Sequence, residues 1–173
     1  MIEWTDEIKK QFVVIRIFGF VLLVASPILF LAVTQFAIIP IREINGAHDI
    51  MLYILLLLAM IQPLVNPLLE KFQISAFKKS PDSPKYQTTE IFGYFKKQKK
   101  KGSPIGLFTI VTIIKSVLVE SIYVYGLVNF FLTGDLTRML YFYPIGIAWT
   151  FVYFPTKERC EKFLEKVSSN AIV

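Results

Sequence analysis

The sequence predicts an all-α integral membrane protein with four transmembrane helices arranged as two hairpins, followed by a C-terminal amphipathic surface helix. Hydrophobic residues make up 54% of the 173-residue chain, whereas soluble domains contain about 45–50%. The mean hydropathy is +0.55, and the apolar residues are concentrated in four blocks that are each long enough to span a bilayer. Little of the chain remains for a soluble domain.

The hydrophobic pattern divides the chain into four segments. They are a first transmembrane hairpin with an interfacial N-terminus, a lysine-rich loop, a second transmembrane hairpin and an amphipathic C-terminal helix. Their predicted bounds are 1–70, 71–103, 104–155 and 156–173. The first apolar block, at about 13–36, is too long for the apolar core of a signal peptide. We therefore expect it to be a transmembrane helix that stays in the mature protein.

The second transmembrane helix is predicted at about 49–70, and two prolines interrupt it. Pro63 and Pro67 each lack a backbone N–H donor and are expected to kink the helix. Gln62 and Asn66 share one helix face and can hydrogen-bond freed carbonyls or a neighbouring helix. A structural kink is the simpler interpretation. The functional alternative is a hinge or a cation-coordinating break.

The 71–103 segment is the long polar part of the chain and is rich in lysine. Aromatic side chains next to a lysine cluster favour contact with an anionic membrane surface. Nucleic acid is not expected as a partner, because the cluster is short and lies between two spans. The residues predicted to contact lipid head groups are Lys96, Lys97, Lys99, Lys100 and Lys101.

The second hairpin is predicted from a helix at about 104–133 and another at about 136–154. Gly134 can end the first of these helices, and Asp135 can cap the second. After Pro155, apolar residues recur at helical spacing among charged ones. This pattern predicts an amphipathic helix whose apolar face lies on the membrane surface or on a partner.

The positive charges predict the orientation of the chain. Lysine and arginine are concentrated in the N-terminal segment, the 71–103 loop and the tail, whereas the turns within the two hairpins have only Arg42 and Arg138 nearby. Positive residues accumulate on the cytoplasmic side of membrane proteins. Both termini and the loop are therefore predicted to be cytoplasmic, in a multi-pass protein of the inner or plasma membrane.

The two hairpins show a weak internal similarity. Leu23–Phe36 and Leu118–Phe131 align with identical Leu, Val, Ser, Val and Phe positions. An internal duplication and a chance similarity between two apolar helices both explain this match. If the hairpin is duplicated, Ala25 occupies the position of Glu120.

Glu120 lies inside the third predicted span, roughly 22 Å along the axis from the start of that helix. Ser116 and Tyr123 can share its face, and Lys115 or Arg16 can provide a positive partner or extend to the cytoplasmic surface. Two interpretations compete. Either the carboxyl group is protonated or ion-paired and holds helices together, or it binds and releases a proton or cation.

The residues Val119-Glu120-Ser121-Ile122-Tyr123-Val124-Tyr125-Gly126-Leu127-Val128 resemble the ion-binding helix of the proteolipid (c) subunits of rotary ATPases. Those helices carry a membrane carboxylate, a small residue, an apolar stretch and an aromatic-Gly/Ala-Leu-Val run. A duplicated hairpin with one remaining carboxylate is also similar to the vacuolar-type proteolipid. This resemblance implies that Glu120 is an ion carrier.

No pattern typical of a soluble active site is present. The chain has one cysteine and one histidine, which excludes an intrachain disulfide and a bis-histidine haem site. We expect no enzyme activity, no metal and no cofactor, although a quinone or lipid site among the aromatic residues stays open. The predicted function is a non-catalytic accessory, assembly or scaffold subunit of a larger membrane complex. The alternative is a proton- or cation-translocating subunit that uses Glu120.

Overall fold

The computed structural model describes residues 4–37, 39–40, 46–80 and 103–169. Over these ranges the chain is all-α and forms five helices, as the composition predicts. α1 consists of Asp6–Phe20, Val21–Ala25 and Ser26–Phe36, and α2 consists of Gly46–Ile61, Gln62–Val65 and Asn66–Lys79. α3 is Pro104–Thr133, α4 consists of Leu136–Leu140 and Phe142–Tyr153, and α5 is Lys157–Ser169.

Three stretches are long and apolar enough to cross a membrane: Ile8–Phe36, Gly46–Lys79 and Pro104–Thr133. The chain therefore has the character of a multi-pass membrane protein. The fourth predicted span corresponds to α4, which is interrupted at Tyr141. The interruption has a local cause, because Pro144 has no N–H to donate to the carbonyl of Leu140.

Two helices are longer than the hydrophobic pattern predicts. α1 begins at Asp6, so the interfacial N-terminal segment and the span predicted at about 13–36 form one helix, and the hydroxyl of Thr5 accepts a hydrogen bond from the Ile8 N–H at 3.4 Å. α2 continues past residue 70 to Lys79. Lysine, glutamine and alanine are good helix formers, so the change to a more polar sequence after residue 70 does not end the helix.

The prolines distort α1 and α2 in different ways. In α1, Pro27 has no backbone N–H to donate to the carbonyl of Leu23. The preceding Val21–Ala25 segment forms a π-helical turn. In α2, the Gln62–Val65 segment is a tighter 3₁₀ turn that contains Pro63. Both distortions follow from a missing backbone donor.

The described helices divide into two compact units. Unit 1 takes its residues from Met1–Ile17, Pro67–Ile113 and Pro155–Val173, and its core contains residues from the start of α1, the end of α2, the start of α3 and α5. The apolar face of α5 is buried in this core through Cys160, Phe163, Leu164 and Val167. The expectation that this face lies on the membrane or on a partner is therefore wrong: spacing identified a buried face but not its neighbour.

Unit 2 takes its residues from Phe18–Asn66 and Ile114–Phe154. Gly134, with φ of 72°, lies between α3 and α4 and lets the chain turn sharply. The two helices then pack very closely at two glycines. A Cβ atom on Gly126 would lie 2.8 Å from the Met139 carbonyl oxygen, and one on Gly146 would lie 2.4 Å from the Tyr123 ring.

Candidate functional site

Glu120 is partly buried on α3, next to the fully buried Val119. In the part of the chain that the structure describes, its carboxylate accepts no hydrogen bond and forms no ion pair. An ionised carboxylate inside a bilayer is costly unless it is paired or protonated. No described residue offsets this cost for Glu120.

The two residues predicted to share the face of Glu120 use their polar atoms differently. Tyr123 is buried, and its hydroxyl lies 3.3 Å from the Thr150 hydroxyl of α4. Ser116 is also buried, and its hydroxyl has no hydrogen-bond partner among the described residues. Helical spacing puts these side chains on neighbouring rows, but the structure does not join them by hydrogen bonds.

The two predicted charge partners lie in different units. Lys115, in unit 2, is partly buried, and its ammonium group lies 5.7 Å from the centre of the Tyr153 ring. This distance is within the range of a cation–π interaction. Arg16, in unit 1, is exposed on α1.

The broken part of α2 is joined to α3 by neutral hydrogen bonds. The Gln62 side-chain amide donates to the Ser121 hydroxyl at 2.7 Å, and the Tyr125 hydroxyl donates to the Gln62 Oε1 atom at 2.7 Å. Ser121 in turn donates to the Leu118 carbonyl at 2.8 Å. Both polar atoms of the Gln62 amide are thereby satisfied, and one side chain connects two helices.

The carbonyl of Pro63 accepts from two donors. Pro67 cannot provide the usual backbone donor four residues later, and the Asn66 N–H bonds to this carbonyl in the 3₁₀ pattern instead. The second donor is the Tyr153 hydroxyl of α4, at 2.8 Å. The Pro63 break is therefore connected to α4 as well as to α3.

A second tyrosine of α4 makes the equivalent contact with α1. The buried Tyr143 hydroxyl donates to the Pro27 carbonyl at 2.9 Å. Tyr143 and Tyr153 thus each bind the carbonyl of a proline at a distorted part of a helix. The sequence indicated the aromatic content of α4 but not these contacts, because they depend on how the helices pack.

Two asparagines of unit 2 are fully buried without side-chain partners. Neither polar atom of Asn66 or Asn129 has a hydrogen-bond partner among the residues described. A buried polar group that lacks a partner costs about 1–3 kcal/mol. Asn66, Asn129 and Ser116 are therefore neutral buried side chains of unit 2 that have no hydrogen-bond partner among the described residues.

An arginine-centred charge cluster connects α2 with α4. Arg138, whose side chain is only 11% exposed, forms a short ion pair with Asp49, and its Nε atom lies 3.7 Å from the Asp135 carboxylate. Asp135 also accepts from the Thr137 N–H at 2.8 Å, so its predicted role as a helix cap is confirmed. The ion pair with Asp49 was not predicted, because these residues are far apart in the sequence.

The remaining predicted site residues divide into two groups. Pro67 is exposed in unit 1. The lysines predicted to contact lipid head groups lie outside the described residues; they are Lys96, Lys97, Lys99, Lys100 and Lys101. Among the residues that are described, no group of three His, Cys, Asp or Glu side chains could hold a metal ion.

The chain has no significant match to a protein-family model, a curated protein or a solved structure.

Proposed function

We propose that this chain is a non-catalytic integral subunit of a larger membrane protein complex, with an accessory, assembly or scaffold role. One observation carries the proposal: Glu120 lies in the middle of α3 without a partner in the described part of the chain. An unpaired ionised acid at the centre of a span costs about 2.5–3.5 kcal/mol on insertion scales. A donor or a positive charge from a second polypeptide would remove this cost.

The helix ends that belong to unit 1 support four crossings arranged as two hairpins. This unit contains the first residues of α1, the last residues of α2, the first residues of α3 and the helix that follows α4. Helices that alternate in direction bring these ends to the same side of a membrane. In this arrangement α4 is the fourth crossing, although its break at Tyr141 shortens its longest regular segment.

The distribution of charge supports an orientation with unit 1 at the cytoplasmic face. Exposed positive residues of unit 1 occur at the start of α1, the end of α2 and on α5. Positive residues near the ends of spans favour the cytoplasmic side. Both termini and the 71–103 loop would then be cytoplasmic in an inner or plasma membrane, beside anionic lipid head groups.

The outward faces of α1 and α2 support extensive contact with lipid or other subunits. Only 22% of the most apolar window of each helix is buried, compared with 50% for α3. Exposed residues on these two helices include Phe36, Tyr53 and Leu57. Within this chain, α1 and α2 bury less of their apolar surface than α3 does.

Purification of the tagged full-length protein in mild detergent tests the proposal. We expect the wild-type chain to elute with other membrane proteins at a fixed ratio. Glu120→Leu should reduce their recovery about tenfold, which corresponds to about 1.4 kcal/mol. Glu165→Gln removes a negative charge from the exposed side of α5 and should leave recovery unchanged. Recovery of a stable wild-type chain free of other proteins would contradict the proposal.

A second candidate function is supported by the same unpaired carboxylate. An acid without a fixed positive partner can bind and release a proton or cation, and residues 119–128 resemble the ion-binding helix of proteolipid subunits. Two differences favour the first proposal: α1 has only Gly19 where proteolipid first helices carry a glycine repeat, and Glu120 lies on the first helix of its hairpin rather than the second.

Glu120→Gln separates the two functions. If Glu120 carries ions, this variant should keep its partners but lose ion coupling in reconstituted vesicles, and a hydrophobic carbodiimide should modify Glu120 selectively. If Glu120 holds a partner through its charge, the variant should lose that partner. Full ion coupling in the Gln variant would exclude the ion-carrier function.

A further inference from the structure

The end of α2 within unit 1 has one exposed face that changes from apolar to basic along the helix. Residues on a helix are separated by about 100° of rotation, so the exposed side chains from Leu68 to Lys79 fall within a sector of roughly 120°. We name this surface the α2 stripe. Its members are Leu68, Lys71, Phe72, Ser75, Lys78 and Lys79, all of which are exposed.

The apolar part of the α2 stripe precedes most of its basic part. Leu68 is 64% exposed and Phe72 is 69% exposed, whereas Lys78 and Lys79 lie in the last turn of α2. The rise from Phe72 to Lys79 is roughly 10 Å, which is enough to cross one polar interfacial layer of about 5–8 Å. The stripe therefore presents an apolar surface and a positive surface at adjacent depths.

The lysines of the α2 stripe are not neutralised by the described residues. Lys71, Lys78 and Lys79 form no ion pair in the described ranges. The nearby acid of α2, Glu70, is on another face and pairs with Lys166 at 2.7 Å. No acid among the described residues therefore compensates the positive charge of the stripe.

The lysines of α5 provide a contrast within the same unit. Lys157 lies 3.8 Å from Glu161, and Lys162 lies 2.6 Å from Glu158. These acids neutralise the positive charge of α5 locally, although both helices belong to unit 1. The lysines of the α2 stripe, which have no acidic partner among the described residues, therefore differ from Lys157 and Lys162 of α5.

We propose that the α2 stripe binds an anionic phospholipid, with its phosphate on Lys71, Lys78 and Lys79 and an acyl chain along Leu68 and Phe72. A phospholipid supplies the negative group and the adjacent apolar chain that this surface requires, whereas free phosphate supplies only the first. The interaction depends on insertion of α2 into a membrane and is independent of the role of Glu120.

Native mass spectrometry of the full-length protein in detergent tests this proposal. Phosphatidylglycerol and phosphatidylcholine with identical acyl chains are titrated, and the ratio of their affinities is measured. We expect wild type to prefer phosphatidylglycerol at least tenfold. The Lys71→Gln, Lys78→Gln, Lys79→Gln triple variant should reduce this preference to about twofold, because each lysine near a negative surface contributes substantially to binding. The corresponding triple Arg variant should retain it.

Two control variants show which residues cause the preference for phosphatidylglycerol. The matched triple variant Lys157→Gln, Arg159→Gln, Lys162→Gln on α5 removes the same formal charge and should retain most of the preference. Leu68→Ser with Phe72→Ser should weaken binding of both phospholipids about fivefold. A preference unchanged in the α2 variant, an equal loss in the α5 variant, or equally effective competition by inorganic phosphate would overturn the proposal.

Discussion

Unit 1 and unit 2 use different kinds of polar contact. Unit 1 surrounds an apolar core with charged contacts, such as the Trp4 indole N–H donating to Glu161 at 2.6 Å and the ion pair between Lys166 and Glu70. Unit 2 uses neutral hydrogen bonds between tyrosine, glutamine and proline carbonyls in its interior. Ion pairs are inexpensive beside water, but full charges are costly in an apolar medium.

This difference shows why Glu120 is unusual. The other described acids of unit 2, Asp49 and Asp135, both lie near Arg138. Glu120 has no such positive group among the described residues. Among the described acids of unit 2, Glu120 is therefore the one without a positive partner.

The largest expected effect concerns the core of unit 1. Phe163 of α5 is buried and packs against Phe108, with ring centres 5.3 Å apart. Phe163→Ala should destabilise the protein by about 3–5 kcal/mol, as measured by thermal unfolding in detergent. Phe36→Ala is the matched control, because Phe36 is 85% exposed, and it should change stability little. Equal effects would show that α5 does not pack as described.

The next effect concerns the close packing of α3 and α4 in unit 2. Gly146→Ala places a methyl group 2.4 Å from the buried Tyr123 ring, and overpacking of this kind should cost about 1–3 kcal/mol. Gly46→Ala adds a methyl group with no atom within 4 Å and should be neutral or stabilising. Thermal unfolding of both variants measures the difference. A tolerated Gly146→Ala would contradict the close helix contact.

A smaller effect should follow when one neutral hydrogen bond of unit 2 is removed. Tyr153→Phe deletes the bond to the Pro63 carbonyl, which still accepts from the Asn66 N–H. Hydrogen bonds between membrane helices contribute about 0.6 kcal/mol on average, so the loss should be about that size. Tyr53→Phe removes an exposed hydroxyl and serves as the control. A loss of several kcal/mol would show that Tyr153 does more than bind this carbonyl.

The reactivity of the Cys160 thiol should measure the unfolding of unit 1. Burial raises the pKa of Cys160 from 9.0 to about 12, so its folded thiol stays protonated at neutral pH. Because the unfolded thiol ionises at lower pH, the stability of unit 1 should fall as the pH rises from about 9 towards 12. Alkylation of Cys160 should be slow in the wild type and faster in Phe163→Ala. Rapid alkylation of the folded wild type would contradict the burial of α5.

Particular residues show how much of this fold the sequence could predict. The long apolar blocks and the cap at Asp135 are local signals, and α1 to α4 lie at these blocks, although α4 is interrupted at Tyr141. The polar residues after residue 70 predict a loop, whereas α2 continues to Lys79. The burial of α5 and the tyrosine contacts with Pro27 and Pro63 depend on tertiary packing, which hydrophobic periodicity does not specify.

Photo-crosslinking beside Glu120 tests the central proposal most directly. Val124 is exposed one helical turn after Glu120, so a photoreactive residue at position 124 samples the surface next to the carboxylate. In membranes containing the full-length chain, we expect one discrete adduct with another membrane protein, and this adduct should weaken when Glu120 is changed to Leu. A matched probe at Leu57, which is exposed on α2, should not lose its adducts in that variant. Only lipid adducts at position 124, with no protein partner, would contradict the account.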